Sequence, residues 1–125
     1  MDDFNRLVLP AYIGDPATYS SVAASLQRSS FNAELAALWF RDGSARYDLR
    51  QTLRDIRVPT LVAVGELDWI MPPSASRKLA AQIPNAELVI VQGVGHFMFG
   101  EAPEEFQRLV GQCVTGAAGP GDGGS

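Results

Sequence analysis

The rhythm of apolar positions divides the chain in two. Over the first sixty residues the spacing is helical. Asp15-Pro16 sets a capping side chain ahead of a proline at a first helical position, and Tyr19, Val22, Ala23 and Leu26 then recur on one face. A second helix is expected to be capped by Ser30 and to carry Phe31, Leu35, Leu38 and Trp39 up to Asp42-Gly43, where glycine supplies left-handed C-terminal geometry. A third, shorter helix is expected from Asp48 through Leu49, Leu53 and Ile56. Each of these stripes needs a surface to cover.

From Val58 the rhythm changes. Thr60 to Val64 is an unbroken run of small and β-branched apolar residues between Pro59 and Gly65, as suits a strand buried on both faces of a parallel sheet. Pro72-Pro73-Ser74 opens a helix with Ala75, Leu79 and Ile83, Pro84-Asn85 turns the chain, and Ala86 to Gln92 is expected as a second strand. Strand, helix, strand in that order predicts parallel pairing and a right-handed crossover. After a loop from Gly93 to Ala102, Pro103-Glu104-Glu105 begins a last helix with acids at its positive dipole end. Its stripe is Phe106, Leu109, Val110 and Cys113, which places Cys113 in the core. Residues Gly116 to Ser125 are rich in glycine and expected to be a flexible tail. Two parallel strands leave their outer edges bare, so the pattern predicts part of a larger sheet.

Composition narrows the class. A chain of 125 residues, 46% hydrophobic and 19% charged, fits one ordinary soluble domain. Ten basic against fourteen acidic residues give a net charge of −4, which offers phosphate backbones no footprint, so no nucleic acid partner is expected. No apolar run approaches the ~18 residues that span a bilayer, and Met1-Asp2-Asp3 carries acids where a secretory signal carries basic residues. No membrane partner is therefore expected, and the expected location is cytoplasmic. With one cysteine and one histidine the chain can close no internal disulfide and build no zinc set, and neither metal nor organic cofactor is expected.

Chemistry concentrates after the two strands. Ligand sites of parallel sheets lie beyond the carboxyl ends of the strands, and Asp68 follows the first strand as His96 follows the second. Because neighbouring parallel strands end on one edge about 4.8 Å apart, the two side chains are expected to meet. Asp68 then holds one ring nitrogen of His96 and leaves the other free to take a proton. Trp69, Met71 and Phe97, with Ile70, Met98 and Phe99, are candidates for an apolar substrate pocket, core packing being an equal alternative. Glu66 and Glu101 read as solvated loop charges, the alternative being carboxylates that bind a substrate amine. Ser20, Ser21, Ser25, Ser29 and Ser30 stand in helical or capping contexts and are poor nucleophiles.

These residues also carry a resemblance. The stretch Ile56-Arg57-Val58-Pro59-Thr60-Leu61-Val62-Ala63-Val64-Gly65-Glu66-Leu67-Asp68, then Ile83-Pro84-Asn85-Ala86-Glu87-Leu88, Gly95-His96-Phe97 and Glu101-Ala102-Pro103-Glu104-Glu105-Phe106 resembles the C-terminal part of the α/β-hydrolase superfamily. Proline iminopeptidase-like and lactonase-like esterases are the nearest branch, and the likeness runs from Tyr47 to Val114. The resemblance implies a partial α/β-hydrolase fold, in which a short parallel sheet of the last two strands is flanked by helices and preceded by a helical cap remnant. Residues 1–46 would be cap-like, 47–115 the core segment and 116–125 the tail. It also implies Asp68 as the acid and His96 as the base of a Ser-His-Asp triad for ester, lactone or amide hydrolysis.

The nucleophile is what the chain lacks. No serine has glycine two residues away on both sides, so the G-x-S-x-G elbow that precedes acid and histidine in this family does not occur in residues 1–125. A truncated hydrolase, silent alone and active on a small ester, lactone or amide once the missing N-terminal half complements it, is the first expectation. The alternative is a non-catalytic interaction module, pairing through its open sheet edge as a homo-oligomer or with another chain.

Overall fold

The computed structural model describes residues 3–43 and 47–116. The segment boundary expected at residue 46, and all of the expected tail beyond Gly116, lie outside the described residues. Tyr19–Gln27 forms α1, Ala33–Leu38 α2, Thr60–Gly65 β1, Pro73–Gln82 α3, Ala86–Val91 β2, Met98–Glu101 α4 and Pro103–Thr115 α5. The two strands pair in parallel with Thr60 opposite Ala86 and Gly65 opposite Val91. Asn85 prolongs that pairing, since its carbonyl accepts from the Thr60 amide at 3.1 Å. No helix among the described residues is long and apolar enough to cross a membrane.

Side chains alternate along each strand and so serve two layers. Leu61, Val89 and Val91 pack with Ala102 against the buried cluster of Val94, Met98 and Leu109, which places α4 and α5 on that face. Val62 and Val64 are buried on the opposite face, where α3 packs against both strands and Ile83 closes its end. The expectation of a strand buried on both sides holds only in part. Ala63 is exposed and the apolar residues of β2 are half-buried, because two strands leave the sheet without lateral neighbours among the described residues.

The N-terminal segment packs onto the rest of the fold. A π-helical turn, Phe4–Val8, runs into a 3-10 turn, Leu9–Tyr12, and Leu9 is fully buried. Asp15 caps the next turn as expected, accepting from the Ala17 amide at 2.9 Å ahead of Pro16. On α1, Val22 is fully buried against Gly100 of α4, where even a methyl group would lie 2.9 Å from Val22 Cγ2.

Five expectations about elements need correction. Asn32, not Ser30, caps α2, its side chain accepting from the Leu35 amide at 2.9 Å. The expected stripe of α2 is not buried, for Phe31, Leu35, Leu38 and Trp39 are all exposed, and Trp39 meets the Tyr47 ring edge-on at 5.3 Å. Instead of a third helix, Asp48 folds back onto Arg50, bonding its amide at 3.1 Å and its Nε at 2.8 Å, and only the 3-10 turn Leu53–Asp55 follows. That guanidinium holds the Asp48 carboxyl down to about 2. Cys113 is exposed rather than in the core, because Leu109 is the one residue that α5 buries. Lastly, the loop expected from Gly93 to Ala102 contains the helical turn α4.

Candidate active site

Two loops leave the carboxyl edge of the sheet and are stitched together by backbone bonds. The Glu66 amide donates to the Val91 carbonyl at 2.8 Å and the Leu67 amide to that of Val94 at 2.9 Å. Gly65 makes this approach possible, since a Cβ there would collide with the carbonyl oxygens of Val94 and Gly95. Asp68 and His96 are thereby brought to one place, 28 positions apart in sequence.

Asp68 is 7% exposed and fully engaged. Its Oδ1 accepts from the amides of Ile70 at 3.0 Å and Met71 at 2.9 Å, and its Oδ2 lies 2.9 Å from His96 Nδ1. With Asp68 as a carboxylate, which only accepts, Nδ1 carries the ring proton and Nε2 is left as a basic acceptor. The ring is partly open, its side chain 29% exposed. Such an imidazole can take a proton from a group brought against Nε2 and return it elsewhere, while the buried carboxylate stabilises the cation formed in between.

Aromatic rings frame this imidazole. The Tyr12 ring stands edge-on to His96 at 5.7 Å and stacks on Phe97 at 5.8 Å, and it meets Trp69 edge-on at 5.7 Å. Of the expected pocket residues, Phe97 is half-buried beside the ring, whereas Trp69 and Met71 project into solvent and Ile70 is half-buried. Trp69 Nε1 donates to the Ala11 carbonyl, so its indole is tied to the N-terminal segment. Met98 belongs to the core and Phe99 stays exposed against Phe97. The serines set aside as nucleophiles lie on α1 (Ser20, Ser21, Ser25) or in the exposed stretch after it (Ser29, Ser30).

Sequence reasoning missed two participants. Tyr12 accepts from the His96 amide at 2.7 Å through its carbonyl, a contact across the whole chain that no local pattern announces. Glu101 is no solvated charge, for it accepts from the amides of Gly14, Gly95 and Phe97. Glu66 does remain exposed, accepting from the Gly93 amide at 3.1 Å.

Comparison with known proteins shows the fold family. Residues 9–103 match the family model of the alpha/beta hydrolase fold. The proline iminopeptidase PfmaB of Pestalotiopsis fici is 30% identical over 91 residues, which are 73% of this chain and 32% of that protein. The AB hydrolase superfamily protein YisY of Bacillus subtilis is 34% identical over 87 residues, 70% of this chain and 31% of its own. An alpha/beta fold family hydrolase from Bacillus anthracis superposes with a TM-score of 0.79 at 24% identity, over 90% of this chain and 40% of that one. The chain thus spans about a third of the length of these curated relatives.

Proposed function

The chain belongs to the alpha/beta hydrolase fold family, and from that membership we propose that it contributes the acid and base of a hydrolytic triad, Asp68 and His96. The 2.9 Å bond between Asp68 Oδ2 and His96 Nδ1 carries the reading. A serine hydroxyl placed against Nε2 gives up its proton to the ring as it attacks an ester, lactone or amide carbonyl. The ring then passes that proton to the departing alkoxide or amine, and Asp68 fixes the tautomer throughout. The serine comes from polypeptide other than residues 1–125, so these residues alone turn over no substrate. Phe97 lies beside the ring on the acyl side, and the exposed Trp69 and Met71 side chains join it once the remaining polypeptide covers them. A small organic substrate, a cytoplasmic setting and no nucleic acid partner complete the proposal.

A graft tests it. Residues 3–116 are set in place of the matching segment of the Bacillus anthracis hydrolase and the product is treated with a fluorophosphonate probe. Labelling of one serine is expected, with His96→Ala abolishing it. Equal labelling with and without His96, or labelling of the free 125-residue chain at a serine of its own, would overturn the reading.

The exposed surface around α2 favours a second reading, that of a module without catalysis that pairs with a second copy of itself. Leu35 on that helix, Phe31 before it and Phe40 after it are 63%, 76% and 75% exposed, apolar surface of the kind that marks interaction sites. A chain that stays monomeric at every concentration in size-exclusion chromatography would remove it.

A further inference from the structure

We propose that Glu101 is the positioning residue for His96, locking the histidine loop and the N-terminal segment into one unit. The assignment rests on the reading of His96 as the base. Glu101 ends α4, five residues beyond the histidine, and turns back toward it. Its Oε2 accepts from the Gly14 amide at 2.7 Å and the Gly95 amide at 2.9 Å, and its Oε1 from the Phe97 amide at 3.1 Å. The amide between those last two, that of His96 itself, donates to the Tyr12 carbonyl at 2.7 Å. Three consecutive amides of the histidine loop are therefore held, two by the carboxylate and one by the segment that the same carboxylate clamps.

The backbones are pressed together at this clamp. A Cβ on Gly95 would collide with the Tyr12 carbonyl and lie 2.6 Å from the Gly14 nitrogen. Glutamate is the one common side chain of this length that meets three donors with acceptors only, since each carboxylate oxygen has two acceptor sites. A glutamine in its place has a single oxygen and must turn its NH₂ group toward an amide donor. Fixing the backbone on both sides of His96 limits the ring's travel, and the Asp68 bond selects its rotation within that limit.

The test uses the 125-residue chain and its Glu101→Gln variant, read by NMR. In the native protein the His96 ring is expected as the Nδ1-H tautomer, with a low-field proton bonded to Asp68. In E101Q that proton is expected to vanish and the tautomers to mix. Hydrogen exchange of the Gly14, Gly95 and Phe97 amides rises by about tenfold or more, as loss of charge-assisted bonds requires. Strand amides from Val62 to Val64 stay as they were, which separates positioning from general loosening.

An unchanged ring tautomer and exchange within about twofold of native in E101Q would overturn the assignment while leaving His96 as the base. A native ring lacking the Asp68-bonded proton would sink the base reading and the positioning role with it. If E101Q does not fold, native exchange decides: one carboxylate holding both segments makes the Gly14, Gly95 and Phe97 amides open together at a common rate. A Gly14 amide that opens independently of the other two would refute the clamp.

Discussion

Asp68 has two tasks that one substitution can separate. Its Oδ1 ends a tight turn by accepting two amides, and its Oδ2 orients His96. Asp68→Ala strips both and leaves the Ile70 and Met71 donors unpaired in a largely buried place, at a cost of about 1–3 kcal/mol. Asp68→Asn keeps an oxygen for those donors but offers His96 an NH₂ group, which forces the proton onto Nε2. A urea titration should therefore show D68A clearly less stable than D68N, while ring nitrogen shifts show D68N in the wrong tautomer for a base. Equal stability of the two variants would mean that the turn does not depend on a side-chain oxygen at position 68. Asp68 and His96 were legible because a strand end is a local signal and two parallel ends must lie side by side. Glu101 was not, because nothing in its neighbourhood announces a partner 87 positions away at Gly14.

At the scale of elements, what was legible depended on whether a stripe met a surface. The spacing Tyr19, Val22, Ala23 and Leu26 gave α1 correctly, and α4 supplies the surface by presenting Gly100 to Val22. The equally regular stripe of Phe31, Leu35, Leu38 and Trp39 stays exposed, with only the Tyr47 ring against Trp39, since periodicity predicts which side of a helix is apolar and not what lies opposite. From Asp48 onward a local side-chain bond to the Arg50 amide competed with the helix and won. Val22→Ala follows from this contrast. It removes two methyl groups from a fully buried position between α1 and the helix that carries Glu101, and the expected loss is about 1–3 kcal/mol in a urea titration. The same truncation at exposed Leu35 should stay within about 0.5 kcal/mol. Comparable losses at both sites would mean that α2 is covered in solution.

For the whole molecule, the two-stranded sheet governs behaviour. β1 and β2 pair only with each other among the described residues, and the chain covers 40% of the Bacillus anthracis hydrolase it superposes on. Each strand therefore turns one row of backbone donors and acceptors outward. Proteins usually guard such edges with charges, prolines or bulges. β1 carries none, reading Thr-Leu-Val-Ala-Val-Gly from Thr60, while β2 has a single Glu87. The core is also thin, with eight hydrophobic residues buried among those described, so edge pairing competes with a modest folding free energy. The free chain should then associate as its concentration rises, and sedimentation velocity should show weight-average mass climbing above 13.4 kDa. Ala63→Lys tests the cause, because Ala63 is exposed in the middle of β1 and a lysine there adds charge without vacating the core. If the edge drives association, A63K returns the chain toward the monomer while its urea midpoint changes little. If A63K associates like the native chain and Leu35→Glu does not, the apolar face of α2 is the contact instead.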